Sequence, residues 1–203
     1  MSGAHSVYVV LLHSPMVDRN GKEVTTAVTN LDIHDIARSC RTYGITKYFI
    51  VNPEPQQEKL VKIILDHWKE QVSQVHHPSR AAALDIVCFM RTFEEAFNEV
   101  SAEAGTRPFV VMPDARDLTE FGPSWSYEEL RSRWAEGRGE IERPLMIVFG
   151  TGWGISPTFF GQVDQLLKPL RKSGLPGTER GYNHLSVRAA AAIVLDRVFG
   201  DRN

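Results

Sequence analysis

Cysteine is nearly absent. Cys40 and Cys88 are the only two in 203 residues, and no Cys-x-x-Cys occurs. That excludes a disulfide framework and points to a reducing compartment, the cytoplasm. Long apolar runs are missing as well. VYVVLL, Val7–Leu12, holds six residues, far below the roughly 20 that cross a bilayer. It has no basic lead and no small-residue cleavage site, so it reads as a strand and not as a signal peptide. An excess of one charge sign is also lacking: 23 Lys and Arg face 25 Asp and Glu, for a net charge of −2. Global attraction to nucleic acid is thereby excluded, and any RNA contact needs a local basic patch. His76–His77 has no further ligands at metal-binding spacing, so no metal is expected. There is no internal repeat and no low-complexity segment. The length fits a single domain, residues 1–203, with a substantial core.

What is present is alternation. Val7–Ser14, Tyr48–Val51, Asp85–Met90, Phe109–Met112 and Leu145–Gly150 are short β-branched runs, of the kind that form strands covered on both faces. Between them fall helical patterns at Asp32–Tyr43, Gln56–Gln71, Thr92–Ala104, Ser126–Glu136 and Pro157–Asp164. Asp32 reads as an N-cap with Gly44 past the last turn, and Thr92 with Glu95 has capping-box spacing. A final helix runs from Asn183 to about Phe199, with an alanine-rich surface that admits a neighbouring backbone closely. Asp18–Thr26, Thr119–Ser124, Gly137–Glu142 and Lys172–Tyr182 read as loops. This alternation is α/β: a mostly parallel sheet with helices on both faces.

FGTGWGIS, Phe149–Ser156, leaves an apolar run for three glycines. Such a cluster means a sharp turn or a close approach to something. Gly150, Gly152 and Gly154 give G-x-G-x-G, not the dinucleotide pattern G-x-G-x-x-G, and no acidic residue ends a strand about 20 residues on. GLPGTERG, Gly174–Gly181, lacks the Lys-Ser/Thr ending of a P-loop. Ser156 is followed by Pro157 and Thr158, which rules out a nucleophile elbow.

The loop gains meaning beside two other segments. NLDIHDIARSCRTYGITKYFIVNP, Asn30–Pro53, is a polar lead, a helix carrying Arg38, a glycine and a strand. LKPLRKSGLPGTERGYNHLSVRAAAAIVLDR, Leu167–Arg197, is an apolar element, a glycine-rich loop and an Asn-His-Leu-Ser lead into the alanine-rich helix. In this order the three segments resemble the motifs of the SPOUT-class RNA methyltransferases. The likeness is strongest to a bacterial branch found alone or attached to a tRNA (guanine-N1) methyltransferase, and it covers nearly the whole chain.

The resemblance implies a C-terminal trefoil knot (the SPOUT or α/β knot), S-adenosylmethionine as cofactor, and a homodimer with the pocket at its interface. Carried over residue by residue, that pocket takes Met112, Pro113 and Asp114 from the turn after the fourth strand. From the glycine loop it takes Gly150, Thr151, Gly152, Trp153, Gly154 and Ile155. The remainder comes from Leu170 and from Asn183, His184, Leu185 and Ser186. An adenine needs an apolar slot with a few backbone donors and acceptors, which a glycine bend exposes. A tight strand-to-helix turn is the competing account of the glycines.

The resemblance also implies the chemistry. Methyl transfer from a sulfonium needs an oriented acceptor and an exit for its proton, and no metal. Ribose-methylating members carry an arginine where Arg38 stands. Its guanidinium stays charged, so phosphate positioning suits it better than proton abstraction; a solvated helix arginine is the competing account. Those members have asparagine where this chain has Asp32, which leaves the acceptor atom open. For a base-methylating enzyme, Asp114 and Glu179 are conceivable proton acceptors.

Arg41, Lys168, Arg171, Lys172, Arg180 and Arg188 are the candidates for a local phosphate-binding surface; a solvated charged loop is the competing account. The leading expectation is ribose 2′-O-methylation of tRNA. Guanine-N1-like base methylation and a non-catalytic S-adenosylmethionine- and RNA-binding module are the alternatives, with a nicotinamide-dependent oxidoreductase the weakest. The short ends MSGAH and GDRN set the further expectation of a freestanding protein whose RNA binding is weak and salt-sensitive or aided by a partner.

Overall fold

The unbroken apolar runs become strands covered from both sides. The computed structural model describes residues 6–69, 77–134, 140–171 and 183–202. In chain order these form β1 (Val7–Leu12), a hairpin of β2 (Met16–Val17) and β3 (Glu23–Val24), α1 (Asn30–Thr42), β4 (Lys47–Val51) and α2 (Pro55–Lys69). Then come α3 (Pro78–Leu84), β5 (Val87–Met90), α4 (Phe93–Ala104), β6 (Phe109–Pro113), β7 (Ser124–Trp125) and α5 (Tyr127–Trp134). The described chain ends with β8 (Leu145–Phe149), β9 (Gln165–Leu167) and α6 (Val187–Phe199), with 3-10 turns at Thr119–Phe121 and Pro157–Gln162.

Seven strands make one sheet in the order β5-β4-β1-β8-β6-β9-β7, and every pairing in it is parallel. Every residue of β1 is buried, and alternate side chains enter different layers. Val7, Val9 and Leu11 pack under α1, α2, α5 and α6. Tyr8, Val10 and Leu12 pack under α4 and the turn at Pro157–Gln162. Strand β8 divides likewise, with Leu145, Ile147 and Phe149 on the first side and Met146 and Val148 on the second. A strand buried on both faces has no polar position, which is why these runs show no period-2 pattern.

Helix ends follow local chemistry, with one correction. The N-cap of α1 is Thr29, not Asp32: the Thr29 hydroxyl accepts the Asp32 N–H at 3.3 Å and donates to the Asp32 carboxylate at 2.6 Å. Threonine and a carboxylate three residues later share the capping-box spacing. Thr92 caps α4 as the spacing predicts. Gly44 and Gly105, both with φ near +70°, end α1 and α4, a conformation that glycine reaches without Cβ strain.

Three further expectations change. Pro157–Asp164 is a 3-10 turn over Pro157–Gln162 and not an α-helix; its Gly161, directly after the paired Phe159 and Phe160, weakens an already short helical segment. Part of the Asp18–Thr26 loop pairs as β3, and Thr119–Ser124 holds a 3-10 turn and the start of β7. Strands of two or three residues carry too little sequence for a period to register. The expected knot depends on the path of residues 172–182, which lie outside the described residues.

Cys40 is buried and Cys88 is partly buried, both free; burial pushes the Cys40 thiol far up. None of the described helices is long and apolar enough to cross a membrane.

Ile147 is fully buried in the central strand. Ile147→Ala is expected to cost about 2–5 kcal/mol in urea unfolding, whereas Leu60→Ala on the outer face of α2 stays within about 1 kcal/mol. Equal losses would remove β8 from the centre of the core.

Candidate functional site

The sheet grows outward in two directions from β1 and β8, with β4 and β5 on one side and β6, β9 and β7 on the other. Loops leaving the carboxyl ends of strands that flank such a point diverge, and ligands bind in the crevice between them. A cavity of about 930 Å³ lies there, at the upper end of the range for small-ligand sites. Its walls come from the segment after β3 (Thr26, Ala27 and Thr29), the turn after β6 (Pro113–Arg116) and the loop after β8 (Phe149–Gly154). The first turns of α1 and α6 close it, with Asp32 from one and Val187 and Arg188 from the other.

The glycine loop solves a geometric problem here. A Cβ on Gly150 would sit 2.5 Å from Ile155 Cγ1, so the chain can fold back on itself only without one. Gly152 and Gly154 have φ of +59° and +109°, conformations that side-chain-bearing residues rarely adopt. A Cβ on Gly154 would also meet the Arg116 guanidinium at 2.6 Å. Between them Thr151 is pinned by its hydroxyl to Thr26 Oγ1 at 2.5 Å. The loop therefore exposes backbone to the cavity while holding one shape.

Two aspartate–arginine pairs face the cavity. Asp114 takes a bidentate contact from Arg116 at 2.9 and 2.8 Å, and Arg116 also donates to the Ile155 carbonyl at 2.8 Å. Asp32, almost completely buried, accepts from Arg188 at 3.0 Å, and Arg188 also approaches Asp35 at 3.4 Å. The second pair joins the first turns of α1 and α6. Beneath them His13 is fully buried, with Nδ1 3.0 Å from Thr26 Oγ1 and Nε2 without a partner among the described residues. Burial lowers its pKa to about 4 despite the opposing pull of Asp32, so the Thr26–Thr151 pair rests on a neutral ring at physiological pH.

Of the residues expected at the pocket, Pro113, Asp114, Gly150–Gly154, Leu170 and Asn183–Ser186 line this single cavity. Asn183 Nδ2 donates to the Ala115 carbonyl at 3.1 Å, which ties the helix lead to the turn after β6. Two do not line it: Met112 and Ile155 are buried in the layer on the far side of the sheet and support the wall from behind. Trp153 borders the mouth but is 61% exposed.

Arg38 is exposed on α1 and does not line the cavity of its own chain. It lies six residues, about 9 Å of helix, beyond Asp32. Arg188, expected at the RNA surface, is held instead by Asp32 and Asp35. Arg171 approaches Asp117 at 3.6 Å, and Lys168 and Arg41 are exposed. Lys172, Arg180 and Glu179 lie outside the described residues.

Sequence reasoning missed Thr26, Thr29 and Arg116. The Thr29-x-x-Asp32 spacing was a legible sign for one of them; the others depend on distant neighbours. Among the described residues no group of three or more His, Cys, Asp or Glu is placed to hold a metal.

A family model described as SAM-dependent RNA methyltransferase matches residues 6–200. A protein of Oleidesulfovibrio alaskensis named tRNA (guanine-N(1)-)-methyltransferase is 37% identical over 196 residues, 97% of this chain and 42% of that protein. The chain thus spans less than half the length of that relative. An uncharacterized protein of Aquifex aeolicus is 36% identical over 195 residues, covering 96% of this chain and 88% of the other. Among solved structures, an Aquifex aeolicus TrmH/SpoU tRNA modifying enzyme has the same fold, with a TM-score of 0.54 at 11% identity, over 97% of this chain and 78% of that one.

Two outcomes check the site. Gly152→Val forces a β-branched residue to φ +59° and toward Thr26 Cγ2, 3.3 Å from the new Cβ; calorimetry should then detect no S-adenosylmethionine binding while circular dichroism is unchanged. Unchanged affinity would remove the loop from the pocket. His13 binds a proton near pH 6.5 when unfolded but only near pH 4 when folded. Its contribution is therefore complete above pH 6.5 and is lost as pH falls toward 4, by on the order of 3 kcal/mol. His13→Asn should flatten the fall in thermal midpoint across that window, and an unaltered slope would refute the assignment.

Proposed function

The chain belongs to the SAM-dependent RNA methyltransferases, and from that premise we propose that it methylates tRNA, at a ring nitrogen of a base. The observation that carries the choice of acceptor is Asp32: a carboxylate lining the cavity, on a helix whose arginine, Arg38, lies outside it. The names of the longer relatives favour the same acceptor class.

The residues present fit S-adenosylmethionine. Phe149, Leu170, Val187 and Val194 make an apolar slot, and the Gly150–Gly154 backbone supplies donors and acceptors beside it. Asp114, oriented by Arg116, is a further acceptor. The cofactor brings a methyl group already activated on sulfur. The protein's part is to hold the acceptor nitrogen in line, so that the N–C bond forms as the C–S bond breaks, and to take the acceptor's proton. Asp32 is the group assigned to that proton. Its oxygens are fixed by Thr29 and Arg188, so the carboxylate is oriented before the acceptor arrives.

A second reading, ribose 2′-O-methylation, rests on Arg38. It requires a second copy of the chain, because Arg38 would have to serve a neighbouring subunit's cavity.

Incubation with tritiated S-adenosylmethionine and tRNA from a host strain lacking this gene, followed by nucleoside mass spectrometry, separates the two. The expected product is a base-methylated nucleoside. Asp32→Asn should lower kcat by about 10²–10⁴-fold with cofactor affinity retained, and Arg38→Ala should retain transfer. A 2′-O-methylated nucleoside, together with loss of transfer in Arg38→Ala, would replace the first reading with the second.

A further inference from the structure

We propose that Trp153 and the tip of the β2–β3 hairpin form an RNA-docking lip at the mouth of the cavity, in which Trp153 stacks a nucleobase while Arg19 and Lys22 meet backbone phosphates. The proposal rests on the RNA-methyltransferase reading and names where that RNA first touches the protein.

Trp153 is set apart from the other tryptophans. Trp68 lies against His34 and beneath Arg80. Trp125 stacks on Phe109 beneath Arg133. Trp134 meets Phe199 edge-on and donates its N–H to the Arg143 carbonyl. Trp153 has no ring, cation or hydrogen-bond partner among the described residues, and 61% of its surface is exposed.

The loop that carries it is nevertheless firmly held. Thr151 N–H points at Met16 Sδ from 3.2 Å, Gly154 N–H closes on the Thr151 carbonyl at 3.1 Å, and Arg116 packs against Gly154. A large aromatic face displayed from a fixed turn loses little freedom on stacking, and every nucleobase offers it a complementary face.

The second observation is independent of the tryptophan. The hairpin base is hydrogen-bonded to this same loop: Val17 N–H donates to the Gly154 carbonyl at 2.9 Å and Ser156 N–H to the Pro15 carbonyl at 3.0 Å. Two residues past Val17, at most about 7.6 Å of chain, stands Arg19. The tip is rigid because the Asp18 carboxylate accepts the N–H groups of Asn20 and Lys22 at 2.8 and 2.9 Å, and Gly21 turns at φ +78°. Arg19 and Lys22 are both exposed, and neither has an ion-pair partner among the described residues. Asp18 is engaged by the turn, and Glu23 accepts from Thr158. The cations are therefore free to meet an external anion. An aromatic platform beside unpaired cations is the combination that single-stranded nucleic acid recognises. It lies at the mouth of the cavity, where a splayed-out nucleotide would have to pass.

The test compares wild type, Trp153→Ala, Trp153→Phe and the double variant Arg19→Ala/Lys22→Ala. Filter binding at a series of salt concentrations uses two probes, the unmodified host tRNA and a 12-nucleotide oligoadenylate. Trp153→Ala should weaken binding by roughly 5- to 150-fold with the salt slope unchanged, and Trp153→Phe should recover most of it. The double variant should weaken binding and reduce the slope of log K against log salt by about 1 to 2. Calorimetric affinity for S-adenosylmethionine should match wild type in the Arg19→Ala/Lys22→Ala double variant, and molar mass by sedimentation should match it in every variant.

Wild-type RNA affinity in Trp153→Ala and in the double variant would overturn the lip, as would failure of the wild type to bind either probe. A parallel loss of cofactor affinity in the double variant would overturn it in favour of a cofactor contact, and a changed molar mass in any variant would overturn it in favour of a subunit contact. Variant-sensitive binding without tRNA methylation would leave the lip standing and overturn the proposed tRNA substrate.

Discussion

The parallel pairing of β1 with β8 is the constraint from which the rest of the molecule follows. Both strands are buried on both faces, and neither carries a charged side chain along its length. All chemistry is pushed to their carboxyl ends. There β1 gives way to His13 and the hairpin, and β8 gives way to the glycine loop. The register that sets Leu11 beside Phe149 brings these two exits together. Thr26 and Thr151, 125 residues apart in sequence, then share a hydrogen bond. A buried strand pair thereby becomes a polar floor for a cavity.

The charges around that floor are arranged in compensated pairs. Asp114 with Arg116 stiffens the turn after β6, and Asp32 with Arg188 joins the first turns of α1 and α6. Removing one partner of a largely buried pair leaves a charge poorly solvated, which costs more than the pair itself contributes. Such pairs are therefore better understood as fixing orientation than as adding stability. The neutrality of His13 follows the same logic: a protonated ring with no second acceptor would be stranded beneath the cavity. Against this compensated interior, the free cations Arg19 and Lys22 and the bare face of Trp153 stand out as the groups left for an external partner.

Much of the architecture was legible in the sequence. Continuous β-branched runs announced a sheet covered on both sides, and Thr92 and Gly44 marked helix ends where the structure has them. The three glycines of Phe149–Ser156 signalled a backbone under unusual demands, and the Asn183–Ser186 lead signalled its partner. These features depend on neighbours a few residues away, which is the range over which backbone sterics and capping operate. The short strands β7 and β9, the 3-10 turn at Pro157–Gln162 and the hairpin were not legible, because each is stabilised by distant partners and not by its own pattern.

The sequence by itself determined the α/β class, the positions of the main strands and helices, and the presence of a strained glycine turn, since local sterics and burial periodicity decide all three. Only the tertiary structure decided which charges are spent and which are free. Asp32 looked like a cap and proved to be the buried partner of Arg188. Arg188 looked like an RNA contact and proved to be engaged by two carboxylates. Met112 and Ile155 looked like pocket residues and support it from the far side of the sheet. Those outcomes depend on side chains up to 156 residues apart meeting within 3.0 Å, and electrostatic pairing at that range leaves no periodic trace in the chain.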